Sequence, residues 1–279
     1  MAETASPFDP ALESLAQALE AAAPGLIVAV TGAGISLASG IPTFRGSDPG
    51  AVWKVDLTEL ATFRYFQEDP AGSWQWYLQR FDRLGAARPN AAHLALAELE
   101  RWQLARGGEW LLITQNIDTL HEQAGSRQLI KVHGSSDRFR CSRRGCELGE
   151  PRGSIAAAEV DLSAFRAHPG RETVPRCPRC GSPLRQHVLW FDEMYTSHRD
   201  YQWEYVQGAL EHMRLALAIG TSFAVGFTER VLQAAYWNKV PLVAIDPGRA
   251  PEVAIPGLEH IAAKAEELLP ALLARLHRP

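Results

Sequence analysis

The sequence predicts an α/β protein with a doubly wound parallel sheet, into which a small cysteine-bearing subdomain is inserted. Three observations carry this expectation. Short unbroken apolar runs at 26–30, 110–114, 215–219 and 242–245 alternate with segments whose apolar residues recur at helical spacing. Three strand-like runs end in polar clusters, Thr31-Gly32, Gln115-Asn116-x-Asp118 and His133-Gly134, and open α/β sheets bind ligands beyond the carboxyl ends of their strands. All four cysteines fall between Cys141 and Cys180.

At 279 residues the chain is long for one compact domain and short for two independent ones. Hydrophobic residues make up 46%, ample for a core, and no run approaches membrane-spanning length. The N-terminus is acidic and lacks the basic head of a signal peptide, so a cytoplasmic protein without a membrane partner is expected. A formal net charge of -4 carries no general footprint for nucleic acid.

Residues 9–23 are alanine-rich with leucines at helical spacing, and Pro24-Gly25 ends that first helix. After the first strand, Gly32, Ala33 and Gly34 predict a tight turn that offers bare backbone N–H groups. A helix from about Ile35 would aim its N-terminus at the same spot, as a diphosphate requires. Any strand-to-helix turn shares this look; Phe44-Arg45-Gly46 adds an aromatic ring and a cation just beyond it. The usual dinucleotide fingerprint is incomplete, because Leu37 takes the third glycine position and no acidic residue closes a second strand about 20 residues on. That disfavours an ordinary hydride-transferring dehydrogenase.

Residues 51–66 read as short-helical. Asp69-Pro70 starts a helix carrying Trp74, Tyr77, Arg80 and Phe81, and Pro89 opens another with Leu94, Leu96, Leu99 and Leu104 as its apolar stripe. Further strands are expected at 129–132 and 188–191, and helices at 199–213 and 226–237. The expected division is 1–135 with 188–279 as the nucleotide-binding domain, a helical insertion at about 41–90 within it, and 136–187 as the subdomain.

Cys141-x4-Cys146 and Cys177-x2-Cys180 supply two close thiolate pairs, the donor set of a closed tetrahedral structural zinc site. Disulfides are the alternative, and they need an oxidising compartment. The strand-end residues also have plainer readings: Asn116 and Asp118 suit a helix cap near Ile117, and His133 suits a satisfied interior histidine. Tyr77 and Arg80, three apart, share a helix face and together can address one carboxylate. The plainer reading there is an amphipathic helix with Arg80 solvated.

The combination Gly-Ala-Gly-Ile-Ser at 32–36, Ile-Pro-Thr-Phe-Arg-Gly at 41–46, Thr-Gln-Asn-Ile-Asp-x-Leu-His at 114–121 and Val-His-Gly at 132–134 resembles the sirtuin family of NAD-dependent protein deacylases, over roughly 25–267. The resemblance implies a Rossmann-like NAD-binding domain and acyl-lysine proteins or peptides as substrates. In it Gln115 and Asn116 hold the nicotinamide ribose, Asp118 positions the carboxamide side, and His133 is the general base on the ribose hydroxyls. Phe44 shields the anomeric carbon and Arg45 sits by the phosphates. Gly220-Thr221-Ser222 matches the adenosine-side motif, and Ala265 stands in the later element that meets adenine through backbone. Asp246 replaces the usual asparagine, and its charge favours NAD over NADP.

Val188, Trp190 and Phe191 fall in the segment that receives the peptide by strand addition, with Asp192 in place of the usual glycine. Thr43, Ala61-Thr62, Asp69-Pro70 and the Tyr77-x-x-Arg80 pair resemble the sirtuins that remove succinyl and malonyl groups; Phe63 replaces that class's usual proline. The implied reaction releases nicotinamide and O-acyl-ADP-ribose. The alternatives are ADP-ribosyl transfer or NAD hydrolysis in the same pocket, and a non-enzymatic zinc-stapled binding module.

Overall fold

A computed structural model describes residues 9–43, 59–221, 223, 226–248 and 257–277. Phe44, Arg45, Ser222 and the 51–58 half of the 51–66 segment lie outside these residues. The strands are β1 (Leu26–Thr31), β2 (Glu109–Thr114), β3 (Leu129–Lys131), β4 (Gly134–Cys141), β5 (Ile155–Ala156), β6 (Leu184–Val188), β7 (Met213–Ile219), β8 (Leu242–Ile245) and β9 (Leu258–Ile261). The helices are α1 (Asp9–Ala22), α2 (Phe63–Glu68), α3 (Pro70–Ala86), α4 (Ala91–Ala105), α5 (Leu120–Ala124), α6 (Ser163–Ala167), α7 (Trp203–His212), α8 (Gly226–Asn238) and α9 (Ala265–Leu276).

Six strands form one parallel sheet in the order β3-β2-β1-β7-β8-β9. Both faces are covered, which is why its central strands are largely apolar runs. Alternate residues of β1 serve opposite layers: Ile27 and Ala29 meet Leu15, Leu96, Leu99 and Leu268 from α1, α4 and α9. Val28 and Val30 face Val206, Leu210, Phe227 and Val231 from α7 and α8. Among the described residues no helix is long and apolar enough to cross a membrane.

A second, antiparallel sheet of β5-β4-β6 carries Cys141 at the end of β4, with Cys146, Cys177 and Cys180 in the connecting loops. Here the 188–191 strand expected from sequence is corrected: the strand is Leu184–Val188, and it pairs with β4 instead of joining the parallel sheet. Its Leu-Arg-Gln-His-Val sequence hides the strand, since all five residues are buried with their polar groups inside. Arg185 is accommodated by Glu193 and by the carbonyls of Gln186 and Val188.

Other elements also differ from expectation. Pro89 precedes the cap of α4; Asn90 caps it, accepting from the Ala92 N–H at 2.9 Å. The inward stripe of α4 includes Ala92, Ala95, Leu96 and Leu99, whereas Leu94 and Leu104 are exposed. The segment after β1 is a 3-10 helix from Ala33 to Ser39, starting before Ile35. The helix expected near Ile117 starts at Leu120. The 199–213 pattern divides into a 3-10 turn at Arg199–Tyr201 and α7. Strand β9 and helix α9 extend the layers beyond what periodicity showed; β9 alternates with polar Glu259 and His260, and α9 contains Pro270.

Candidate active site at the strand ends

The carboxyl ends of β1, β2, β3 and β7 come together. Thr31 Oγ1 donates to Thr114 Oγ1 at 2.8 Å, and the Gln115 N–H donates to the Thr31 carbonyl at 3.0 Å. Gln115 Nε2 lies 3.4 Å from Thr221 Oγ1, which joins the β2 and β7 ends.

The loops after β1 and β7 meet backbone to backbone. The Gly34 N–H donates to the Gly220 carbonyl at 2.9 Å. A Cβ on Gly220, whose φ is +58°, would stand 2.3 Å from the Ile35 nitrogen. This corrects the expectation of bare N–H groups at the glycines. The Gly32 N–H is given to Ile219 and that of Gly34 to Gly220. Both glycines permit close approach between loops.

Asn116 and Asp118 are buried, and they are linked through a residue not singled out from sequence, Ser36 of the 3-10 helix. Asn116 Nδ2 donates to the Gly32 carbonyl at 3.0 Å and to Ser36 Oγ at 3.2 Å. Ser36 Oγ then donates to Asp118 Oδ2 at 3.0 Å. The other Asp118 oxygen accepts the Leu120 N–H at 3.0 Å, so the helix-cap role is real and coexists with the network. Beneath it, His121 Nε2 lies 3.0 Å from Thr31 Oγ1, and burial holds the His121 pKa well below its ordinary value.

His133 Nδ1 lies 2.9 Å from the Gln115 carbonyl, which can only accept, so Nδ1 carries the ring proton. Nε2 therefore presents a lone pair, 3.1 Å from Tyr195 Oη. His133 keeps some surface open to solvent, yet the dense protein around it pushes its pKa down to about 4; the hydrogen bond to Gln115 acts in the opposite direction. The ring is thus a neutral base across the physiological range.

Trp190 connects this region to α3. Its Nε1 donates to Tyr77 Oη at 2.6 Å, and both side chains are buried. Arg80 folds back, donating from an Nη to the Trp76 carbonyl at 2.9 Å and lying 3.5 Å over the Trp76 ring, so it is not simply solvated. Its Nε is buried without a partner. Arg80 lies close enough to Tyr77 for its charge to act on the phenol, which burial keeps protonated.

Beyond Val188 the chain departs from a free edge strand. The N–H groups of Leu189, Trp190 and Phe191 go to the His133 carbonyl, Glu193 and the Ala61 carbonyl. Asp192 accepts from the Phe63 N–H at 2.7 Å and the Arg64 N–H at 3.1 Å, capping α2. Glu193 sits between Arg140 and Arg185. Burial pushes its carboxyl upward, but the two guanidinium charges hold the pKa below the ordinary value.

Among the residues assigned to the adenosine side, Asp246 follows β8, its Oδ1 accepting the Gly248 N–H at 2.8 Å. Ala265 begins α9, and Thr43 follows the 3-10 helix by four residues.

The four cysteines are free thiols whose sulfurs lie within 4.8 Å of one another. Cys141 Sγ and Cys180 Sγ are 3.4 Å apart, Cys146 Sγ and Cys177 Sγ 3.8 Å. A tetrahedral zinc with bonds of about 2.3 Å sets sulfurs about 3.8 Å apart, so the donor set fits. The Arg143 N–H donates to Cys141 Sγ at 3.3 Å, the backbone support a thiolate ligand uses. A second group, His187, His198 and Asp200, is a hydrogen-bond network: His187 Nε2 lies 3.1 Å from Asp200 Oδ2, and His198 bonds through both ring nitrogens, to the Asp200 N–H and the Gly153 carbonyl.

The sequence model of the Sir2 family matches residues 32–226. An NAD-dependent protein deacylase of Thermus thermophilus is 38% identical over 226 residues, covering 81% of this chain and 80% of its own. One from Leptospira interrogans is 37% identical over 251 residues, covering 90% and 92%. Among solved structures, a mutant Sir2 homologue bound to ADP-ribose superposes with a TM-score of 0.77 at 34% identity, covering 95% of this chain and 96% of that one. A Sir2 homologue–NAD complex gives 0.76 at 34% identity, covering 95% and 93%. With its sheet order, its strand-end cluster and its four clustered cysteines all in place, the chain belongs to the Sir2 family.

Proposed function

We propose that this protein is an NAD-dependent deacylase of acyl-lysine on protein substrates. One observation carries the reading furthest: a neutral histidine with its lone pair fixed on Nε2 stands beside the Asn116–Ser36–Asp118 network at the sheet's carboxyl edge. Bound NAD supplies the ribose carbon from which nicotinamide leaves and the hydroxyls that take over the acyl group. Gln115 and Asn116 hold that ribose, Asp118 positions the carboxamide side, and His133 Nε2 takes the proton of a ribose hydroxyl. By the family resemblance Phe44 shields the anomeric carbon and Arg45 meets the phosphates, with Thr43 on the same cofactor side. Gly220, Thr221, Ser222, Asp246 and Ala265 take the adenosine half, and the Asp246 charge excludes a 2′-phosphate. Cys141, Cys146, Cys177 and Cys180 hold one structural zinc, which no catalytic step uses.

The test is nicotinamide release by the wild-type enzyme. Release that requires an acyl-lysine peptide is expected. Equal release without peptide would replace deacylation by NAD hydrolysis or ADP-ribosyl transfer, and no release at all would remove the enzymatic reading.

Val188, Trp190 and Phe191 line the acyl-peptide side, and Tyr77 with Arg80 addresses an acid at the end of the acyl chain. The buried unpartnered Arg80 Nε supports this. So does Tyr77, which accepts from Trp190 and so has its own proton to offer. Succinyl- or malonyl-lysine is therefore expected to exceed acetyl-lysine in kcat/KM by more than tenfold, since hydrogen bonds to a charged group contribute about 1.5–3 kcal/mol each. Arg80→Met removes most of that preference and spares acetyl removal. Equal wild-type activity on acetyl and succinyl versions of one peptide would return both residues to a packing role.

A further inference from the structure

His133 has one lone pair, and in the structure it is in use. Nδ1 holds its proton on the Gln115 carbonyl at 2.9 Å, and Tyr195 Oη stands 3.1 Å from Nε2. Tyr195 belongs to the 3-10 turn Tyr195–Ser197 after the Trp190–Glu193 loop, and is not part of the sequence motifs above. It is held in place by stacking, its ring 4.5 Å from that of Trp203 at an interplanar angle of 17°. Its proton is firmly kept: burial pushes the phenol up to about 12, against the opposing charge of Arg230 on α8. A phenol facing a lone pair donates to it.

Resting on the deacylase reading, we propose that Tyr195 is a positioning residue for His133. It keeps Nε2 oriented in the resting enzyme and adds to the preference for the unprotonated ring that burial sets, then yields that lone pair to the ribose hydroxyl. The two hydroxyls cannot both donate to one lone pair. When the ribose O–H bond breaks, the proton passes to Nε2, and the imidazolium keeps its Nδ1–H on Gln115. Tyr195 Oη, left with no lone pair on the protonated ring to donate to, favours the unprotonated form. Gln115 faces His133 from the β2 end and Tyr195 from the turn; Arg230 is the charge acting on Tyr195.

The test is Tyr195→Phe, which keeps the ring and its stack on Trp203. Nitrogen-15 NMR titration of the NAD-free enzyme reads His133 directly. The wild type is expected to show a single Nδ1–H tautomer. In the variant the proton affinity of His133 rises about fivefold, because one neutral hydrogen bond favouring the unprotonated ring, about 1 kcal/mol, is lost. The acidic limb of kcat/KM moves to higher pH in step, and kcat falls several-fold while KM for NAD stays within twofold. An unchanged titration and an unchanged acidic limb would overturn the assignment and leave Tyr195 as a packing residue. Because the titration needs no turnover, an altered titration in an enzyme that releases no nicotinamide would sink only the deacylase reading.

Discussion

His133→Ala is expected to lower kcat for deacylation by about 10²–10⁴, the usual contribution of a positioned general base. NAD affinity should stay within a few-fold, because the ring acts on a proton that moves in the reaction and adds little to ground-state binding. The geometry makes this a clean experiment. His133 takes no part in the Asn116–Ser36–Asp118 network, and its hydrogen bonds are to the Gln115 carbonyl and Tyr195. The same geometry sets the pH dependence. With its pKa pushed down to about 4, His133 stays unprotonated far below the ordinary histidine range, so its loss of activity on acidification falls near pH 4 instead of near 6.5. Kinetics and NAD-induced thermal shift on one preparation check both halves. Wild-type deacylation by the variant would remove His133 from the mechanism, and loss of the NAD-induced shift would make it a binding residue.

The parts of the fold legible in the sequence are those whose physics is local. β1, β2, β7 and β8 are apolar on both faces, so their strands stand out as unbroken runs. The cap Asp69 and Pro70 mark the start of α3 because capping involves neighbouring residues. What stayed hidden depends on distant partners. β6 reads as polar because Arg185 finds Glu193, whose second guanidinium comes from Arg140 on β4. Asp192, standing where the family has glycine, reads as a disturbance of the peptide groove; in the fold it caps α2 across 129 residues of sequence.

The site divides the same way. Asn116, Asp118 and His133 were visible as polar residues ending apolar runs, but not the Ser36 bridge between the first two. Ser36 lies inside the quoted Gly-Ala-Gly-Ile-Ser motif and could have been found there as a hydroxyl facing the crevice. Tyr195 had no comparable signal, since nothing in Met-Tyr-Thr-Ser ties it to a histidine 62 residues earlier. The glycines were placed correctly and explained wrongly: their N–H groups are consumed by loop-to-loop bonds, and the absence of Cβ is what the contact needs.

Cys177→Ser is expected to lose the zinc and to collapse the small sheet, with a fall in Tm of roughly 10 °C or more at 2–4 °C per kcal/mol. The metal is expected to staple this sheet together. β5 has two residues and β6 five, and three short strands need a hydrophobic face or a staple. The face they have is shared: Phe139 and Leu184 of the sheet pack with Trp74, Tyr77 and Trp190. Trp74 Nε1 also donates to the Leu184 carbonyl at 2.8 Å, binding α3 to β6. Unravelling around the cysteines therefore releases α3 and the Trp190–Tyr77 contact, and deacylation falls although no zinc ligand touches the strand-end cluster. The core of the parallel sheet, built on α1, α4, α7, α8 and α9, has no such dependence. Metal analysis of wild type purified without chelator should find one zinc per chain, and cobalt in its place should show a four-thiolate tetrahedral spectrum with no exchangeable water. No zinc in the wild type, or full zinc and an unchanged Tm in Cys177→Ser, would refute the structural site.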